Sequence, residues 1–442
     1  MAKYKLSIVI PVRNSQGTIK HTLKNTISAV DPLMCQIIVI DNASTDGTYE
    51  SIKSLNNYKN LKIIHNKNLL SMSQNWESGL DFIEGEYVTY IGGDDGIIST
   101  GIHYLLQLIQ NNNFDVIAWN KLGYRWPSYY NDSDLACAKF RPQVRNEDFF
   151  INAKRNRINV INKLDHSYLS MPNIYNSAIR NNIIKNIKKM DGVFFNAQTP
   201  DVYSGLRISY EIESYPFLLY PVTISGVSSY SNGIATFKSK SSTIGDEFLK
   251  LNEMADNQLD PTLPNIQSYT TCIADSYLKI LLRTGIEKEN PKINFSNVYK
   301  KTINHIINNY ESRIAKETIN DLLIYCEHAK KYIKDNKIYL SHYYNISADF
   351  EKPNKPNKPN KPKLRNKIST FLYEHKKKTI LNNVELAEDY YNSFYKKINY
   401  YFRINNFIVI NNKIPFRIII KKILSLFFHI RLLIFKIMAR NA

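Results

Sequence analysis

Cysteine is scarce and scattered in this chain. The 442 residues include four, Cys35, Cys137, Cys272 and Cys326, with no CxxC pair among them. That spacing argues against a disulfide framework and a structural zinc site, and fits a reducing compartment. Long apolar runs are also missing. No stretch of about 18 uncharged apolar residues occurs, so no ordinary membrane span is expected. The opening MAKYKLSIVIPVRN has an apolar run that meets Pro11 and Arg13 at once. It is too short for the apolar core of a signal peptide and reads as a first strand. Acidic residues are nearly absent from one region. From Lys352 onward, 20 Lys and Arg face four acids, a net +16 of the chain's formal +19. The basic character thus belongs to the tail, and no nucleic-acid partner is implied for the main body.

What is present begins with length and apolar content. At 442 residues and 43% hydrophobic, the chain can hold two or three domains with real cores. Its most telling stretch is YVTYIGGDDGII, Tyr87 to Ile98. A β-branched and aromatic run ends in glycines and two adjacent aspartates, as a buried strand ends at a ligand. Two carboxylates at such an end suit a hard divalent cation with phosphate ligands, although Asp-Asp-Gly is also ordinary turn chemistry. Upstream, Leu6–Val12, Gln36–Ile40 and Leu61–His65 read as strands. Thr18–Val30, a segment from Thr48, and Ser73–Ile83 read as helices, with Asp46 or Ser44 able to cap the second. Four alternations in about 110 residues predict an α/β fold, an open, mostly parallel sheet with flanking helices. Ligands in such sheets bind beyond the strands' carboxyl ends. Asn14, Asp41 and the Asp94/Asp95 pair all fall at such ends.

The segments SIVIPVRNSQGTIKHTL, IIVIDNASTDGT, NKNLLSMSQNWESGL and YVTYIGGDDG, in that order and spacing over roughly residues 5 to 110, resemble the donor half of a family 2 glycosyltransferase of the GT-A fold. The resemblance implies inverting transfer from a nucleotide-activated sugar, usually a UDP-sugar, with Mg²⁺ or Mn²⁺. By that resemblance Pro11, Val12, Arg13 and Asn14 form the loop under the base, and Asp41 accepts a hydrogen bond from the uracil ring N–H. Asp94 and Asp95 match the DXD-type pair, Asp94 toward the ribose and Asp95 on the metal. The sequence departs from the family at Gly93, where many members have the first Asp, and at Asn42, where many have a second. Lys67 and Asn75 are candidates for the diphosphate or sugar, or else a loop lysine and a helix-surface amide. The general base that the family places near a helix start corresponds to Asp201 in FFNAQTPDVYSGL. Thr199-Pro200-Asp201 is a helix start with Pro early and Asp in the first turn. Asp191 is the second candidate.

Further along, YPVTISGVSSYSNGIATF (Tyr220–Phe237) reads as a strand entering a Ser/Gly-rich loop. It is either a lid with Ser228, Ser229, Ser231 and Asn232 as donors or an exposed turn. His166 is a lone histidine with a structural or a ligand role. These features divide the chain into a catalytic domain over 1–240 (donor half 1–110, acceptor half 111–240), a helical region over 241–351, a linker over 352–363 and a basic helical tail over 364–442. The helical region packs on the catalytic domain or on a second subunit, which leaves a homo-oligomer open. The linker KPNKPNKPNKPK has a proline in each three-residue unit, which disfavours helix and sheet and gives a semi-rigid cationic spacer. In the tail, Pro415–Arg440 puts its cations on one arc of a helix and its apolar residues on the other, as expected for a helix lying in an anionic membrane surface. The sequence therefore predicts a cytoplasmic enzyme, peripheral on the inner face of the membrane. Its expected partners are a UDP-sugar donor and a growing glycan or glycolipid acceptor, such as capsule or lipopolysaccharide. The alternatives are a sugar-phosphate nucleotidyltransferase and a non-catalytic membrane-bound scaffold. The first should carry repeated glycines after the first strand, and VRNSQGT lacks them.

Overall fold

The apolar runs near the N-terminus become the centre of a sheet. β1 (Tyr4–Val12) and β2 (Cys35–Asp41) are buried along almost their whole length. Alternation within the strands splits their side chains between two cores. Leu6, Ile8, Ile10, Ile37 and Val39 face one, while Val9, Ile38 and Ile40 face the other. Both faces are therefore covered, which is why the runs read as continuous rather than alternating. Full burial of each such aliphatic side chain contributes about 1.5–3 kcal/mol.

The computed structural model describes residues 2–129, 137–140, 150–229, 231, 243–285 and 292–309. Asn232, the 352–363 linker, the 364–442 tail and the helical region beyond residue 309 lie outside them. In chain order the first half comprises β1, α1 (Gln16–Ala29), β2, α2 (Thr48–Lys53), β3 (Leu61–His65), α3 (Met72–Ser78), β4 (Gly85–Tyr90), β5 (Gly96–Ile97), α4 (Ser99–Asn111) and β6 (Val116–Arg125). Next come β7 (Cys137–Phe140), β8 (Phe150–Asn152), α5 (Ala153–Lys163), β9 (Ser177–Arg180), α6 (Asn181–Asp191), α7 (Pro200–Ile208) and β10 (Ser214–Val227). Among the described residues three more helices, α8 (Thr243–Met254), α9 (Tyr269–Thr284) and α10 (Phe295–Asn309), follow β10.

The sheet order is β3-β2-β1-β4-β9-β6-β10-β5, with β7 on β6 and β8 on β10. Parallel pairing joins β3, β2, β1 and β4, and again β6 with β10. β9 lies antiparallel between β4 and β6. The parallel run expected from the sequence is thus the donor half, and the sheet becomes mixed beyond it. Pro11 is tolerated in a central strand because pairing of β1 with β4 ends at Val9, so its missing N–H breaks no bond on that side.

Helix ends obey local chemistry. α3 starts in a capping box between Ser71 and Gln74 and stops at Gly79. It is shorter than the Ser73–Ile83 periodicity suggested, because a separate 3-10 turn takes over at Leu80–Phe82. α2 is preceded by Gly47 at φ 83°, with the Asp46 carboxylate accepting from the Thr48 N–H at 3.1 Å. A third core combines Val160 and Ile161 of α5, Val202 and Leu206 of α7, Ile273 and Tyr277 of α9, and Val298 of α10. No helix among the described residues is long and apolar enough to cross a membrane.

Candidate active site

Two loops at the carboxyl ends of β1 and β2 are bound to each other. Asn14 and Ala43 both have positive φ, 45° and 51°, an uncommon state for side-chain-bearing residues. Their surroundings hold them there. The Asn14 N–H donates to Ser44 Oγ at 2.9 Å, and the Thr45 N–H donates to Asn14 Oδ1 at 2.9 Å. The Ser15 N–H reaches Thr48 Oγ1 at 2.7 Å. Arg13 donates to the carbonyls of Asn42 and Ala43 at 3.0 and 3.2 Å and pairs with Glu247 of α8 at 2.6 Å. Asn42 exchanges two side-chain bonds with the Leu70 backbone, so it works as a clamp.

Asp41 is fully buried behind this loop. Its Oδ2 lies 2.7 Å from His65 Nδ1, and its Oδ1 has no partner. A buried acceptor without a donor is costly.

The Gly92–Asp95 turn after β4 is fixed from beneath by α1. Thr18 and Thr22 reach the Gly93 carbonyl at 2.9 and 3.0 Å, and the Trp126 indole N–H donates to the Asp94 carbonyl at 2.8 Å. The two aspartates then part company. Asp95 is 1% exposed and turned inward. Its Oδ2 accepts from the Gly92 N–H at 2.6 Å and from the Tyr175 hydroxyl, and its Oδ1 accepts from the Gly226 N–H at 2.6 Å. Burial, and then the neighbouring Asp94, push its pKa up to about 7. Asp94 instead lines a cleft of about 390 Å³. Its Oδ2 accepts from Ser228 Oγ at 2.8 Å and Ser231 Oγ at 2.6 Å. The metal contact expected on Asp95 therefore finds that carboxylate occupied by protein donors, and Asp94 is the acid that faces ligand space. The serines expected as lid donors are engaged on Asp94. Ser229 lies apart, its N–H on Ser128 Oγ at 3.4 Å.

Asp201 sits in the first turn of α7, behind Pro200, and lines the same cleft. Burial raises its pKa, and Lys121 pulls it partway back. Asp191 does not share this position. It forms a buried two-point ion pair with Arg207, the shorter contact 2.6 Å, and does not line the cleft. His166 packs on Tyr269 at 4.4 Å between ring centroids and is not part of the cleft wall.

Of the residues singled out in the sequence, Pro11, Val12, Arg13, Asn14, Asn75, Asp94 and Asp201 line one cleft. Asp41 stands behind its wall, next to the lining residue Asn42. Lys67 is exposed and outside it. The sequence reading missed Lys121 on β6 and Tyr175, and it missed the wall given by α8 and α9, including Phe248, Leu251 and Tyr269. A lysine following the apolar run VIAW inside a strand was a usable signal. The helices carried none, since their cleft-facing residues look like ordinary core.

The two loops and the Gly92–Asp95 turn lie within a stretch that matches a known family. The model of glycosyl transferase family 2 matches residues 7–161, and the chain carries a domain of this family, a family of sugar transferases. Among named relatives, the cholesterol galactosyltransferase of Borreliella burgdorferi is 34% identical over 116 residues, 26% of this chain and 32% of that protein. The GalNAc(5)-diNAcBac-PP-undecaprenol beta-1,3-glucosyltransferase of Campylobacter jejuni is 31% identical over 105 residues, 23% of this chain and 34% of that one. The matched stretches thus span about a third of either relative. Among solved structures, S. aureus TarS 1–349 in complex with UDP-GlcNAc is similar with a TM-score of 0.43 at 14% identity, covering 78% of this chain and 92% of that one.

Proposed function

We propose that the protein is an inverting glycosyltransferase that moves a sugar from a UDP-sugar to a glycan or glycolipid acceptor, with Asp201 as general base. One observation carries this reading: the two nucleotide-type loops, Asp94 and Asp201 open onto a single cleft. The Asn14–Ser44 junction provides a rigid seat for a base and ribose. The unpartnered Oδ1 of Asp41 suits a ring N–H that comes up against Asn42.

The residues fit a divalent cation at Asp94. Mg²⁺ or Mn²⁺ is commonly held by one or two carboxylates together with substrate phosphate oxygens. No group of three His, Cys, Asp or Glu suited to a metal occurs among the described residues, so substrate oxygens would complete the shell. Such an ion, when bound, neutralises charge on the departing diphosphate. The chain's own residues do the rest. Asp201 takes the proton of the acceptor hydroxyl. The acceptor oxygen bonds to the anomeric carbon from the face opposite the diphosphate. The bond from that carbon to the diphosphate oxygen breaks, and its electron pair leaves with UDP.

The acceptor class rests on analogy. The names of both relatives cite lipid acceptors, and the tail's net +16 suits an anionic bilayer at the inner face of the cell membrane. The chain division at the 352–363 repeat belongs to the same proposal. Release of UDP from a panel of UDP-sugars, with Mn²⁺, Mg²⁺ or chelator, tests the reading. Metal-dependent UDP release from one or a few donors is the expected result. Release of diphosphate from a nucleoside triphosphate and a sugar phosphate would instead identify a nucleotidyltransferase.

A further inference from the structure

Lys121 is a charged residue in the middle of strand β6, paired in register with Thr223 of β10. Its side chain enters the cleft between the Asp94–Asp95 turn and Asp201. Nζ lies 4.5 Å from the centroid of the Tyr175 ring. That ring is fixed on two sides, stacked on Trp76 at 5.9 Å and bonded through its hydroxyl to Asp95. Among the described residues, no hydrogen-bond acceptor or ion-pair partner within 4.0 Å holds the ammonium. Burial pulls its pKa below the ordinary lysine value, and Asp201, then Asp95, pull it back up from a distance. The side chain is partly buried and lines the cleft, so its three N–H donors are open to whatever occupies that space. Lys121 is also placed where charge changes during transfer, on the path from the donor carboxylates to the base.

We propose that Lys121 is a donor-binding cation, whose ammonium takes an oxygen of the UDP diphosphate in this cleft and holds it as the sugar leaves. This rests on the UDP-sugar reading above. Among the described residues Arg13 is the other cation of the cleft wall, and it is committed to Glu247 and to two backbone carbonyls. Among the described residues, Lys121 is therefore the cleft cation with free donors. The cation–π contact with Tyr175 aims the ammonium without consuming its hydrogen bonds.

Calorimetry on the full-length protein tests the assignment, with uridine and UDP as probes, each with Mn²⁺ and with chelator. K121M is expected to keep uridine affinity and to lose UDP affinity about 10–100-fold under both conditions, the scale of a charge-assisted hydrogen bond. K121R should recover most of the loss. Unchanged UDP affinity in K121M would overturn the proposal and leave Lys121 as a counter-charge for Asp201. K121Q guards against a disturbed strand: equal losses for uridine and UDP in both variants would also overturn it. A parent protein that binds neither probe would instead overturn the nucleotide reading itself.

Discussion

The two aspartates of the GGDDG turn are adjacent in sequence, yet the fold gives them different work. Asp94→Asn should fold with parent-like thermal stability and lose metal-dependent transfer by at least about 10²-fold, the scale of one strong transition-state contact. Asp95→Asn should act first on the fold. Its amide cannot accept from Gly92, Gly226 and Tyr175 together, so the melting temperature should fall. Parent-like metal-dependent turnover in the Asp94 variant would return the metal to Asp95. Asp41→Ala should weaken UDP binding by about 1–3 kcal/mol, because a ring N–H would lose its acceptor; unchanged affinity by calorimetry would leave Asp41 as a turn residue tied to His65. Asp201 should separate binding from chemistry. Asp201→Asn keeps size and polarity but cannot take a proton, so donor affinity should persist while transfer falls about 10²–10⁴-fold. Burial also sets the pH profile. The Asp201 carboxyl is raised above its ordinary range, first by desolvation. The base works only when ionised, so the rate rises with pH through that raised value. The acid limb of kcat/KM should therefore lie above about pH 4, the value of a free aspartate. A limb at or below it would remove Asp201 from the role.

At the scale of elements, the end of β10 is the hinge point of the site. Gly226 packs so tightly on the DD turn that a Cβ there would lie 1.6 Å from the Asp94 carbonyl oxygen. Its N–H serves Asp95, and two residues later Ser228 serves Asp94. Gly226→Ala must therefore push β10 and the turn apart. Overpacking of this kind costs about 1–3 kcal/mol, and both the melting temperature and turnover should fall, with Asp94 displaced. A variant with parent-like stability and activity would show that β10 does not hold the turn. α8 completes the wall in a different way, through Phe248, Leu251 and the Arg13–Glu247 pair. These contacts join a helix near residue 250 to a loop near residue 13, and no local pattern in either stretch announces them.

At the scale of the whole molecule, charge and chemistry are separated along the chain. The site is built from residues before 273, while a net +16 lies after Lys352. Removal of Lys352–Ala442 should leave a folded protein that still turns over its donor. Each Lys or Arg near an anionic surface contributes about 1 kcal/mol, screened by salt. The full chain should thus co-sediment with anionic vesicles, less so at high salt, and the truncated chain should not. Equal partitioning of the two would show that the tail is not the anchor.

The sequence by itself determined the α/β class, the strand ends and the loops that meet at the cleft. Those depend on local pattern: an apolar run makes a buried strand, and Gly, Asp and Asn mark where it stops. β3 was legible to the residue at both ends, and so were Pro200 and Asp201 at the start of α7. Only the tertiary structure decided which carboxylate faces the cleft. Asp94 and Asp95 are equivalent in any one-dimensional pattern, and their difference comes from Gly226 and Tyr175, residues 131 and 80 positions away from Asp95. The same holds for Lys121, whose role depends on the Tyr175 ring beneath it, and for Asp191, which Arg207 withdraws into a buried pair. Pairings between distant segments set the direction of a side chain, and direction separates a ligand contact from a structural one.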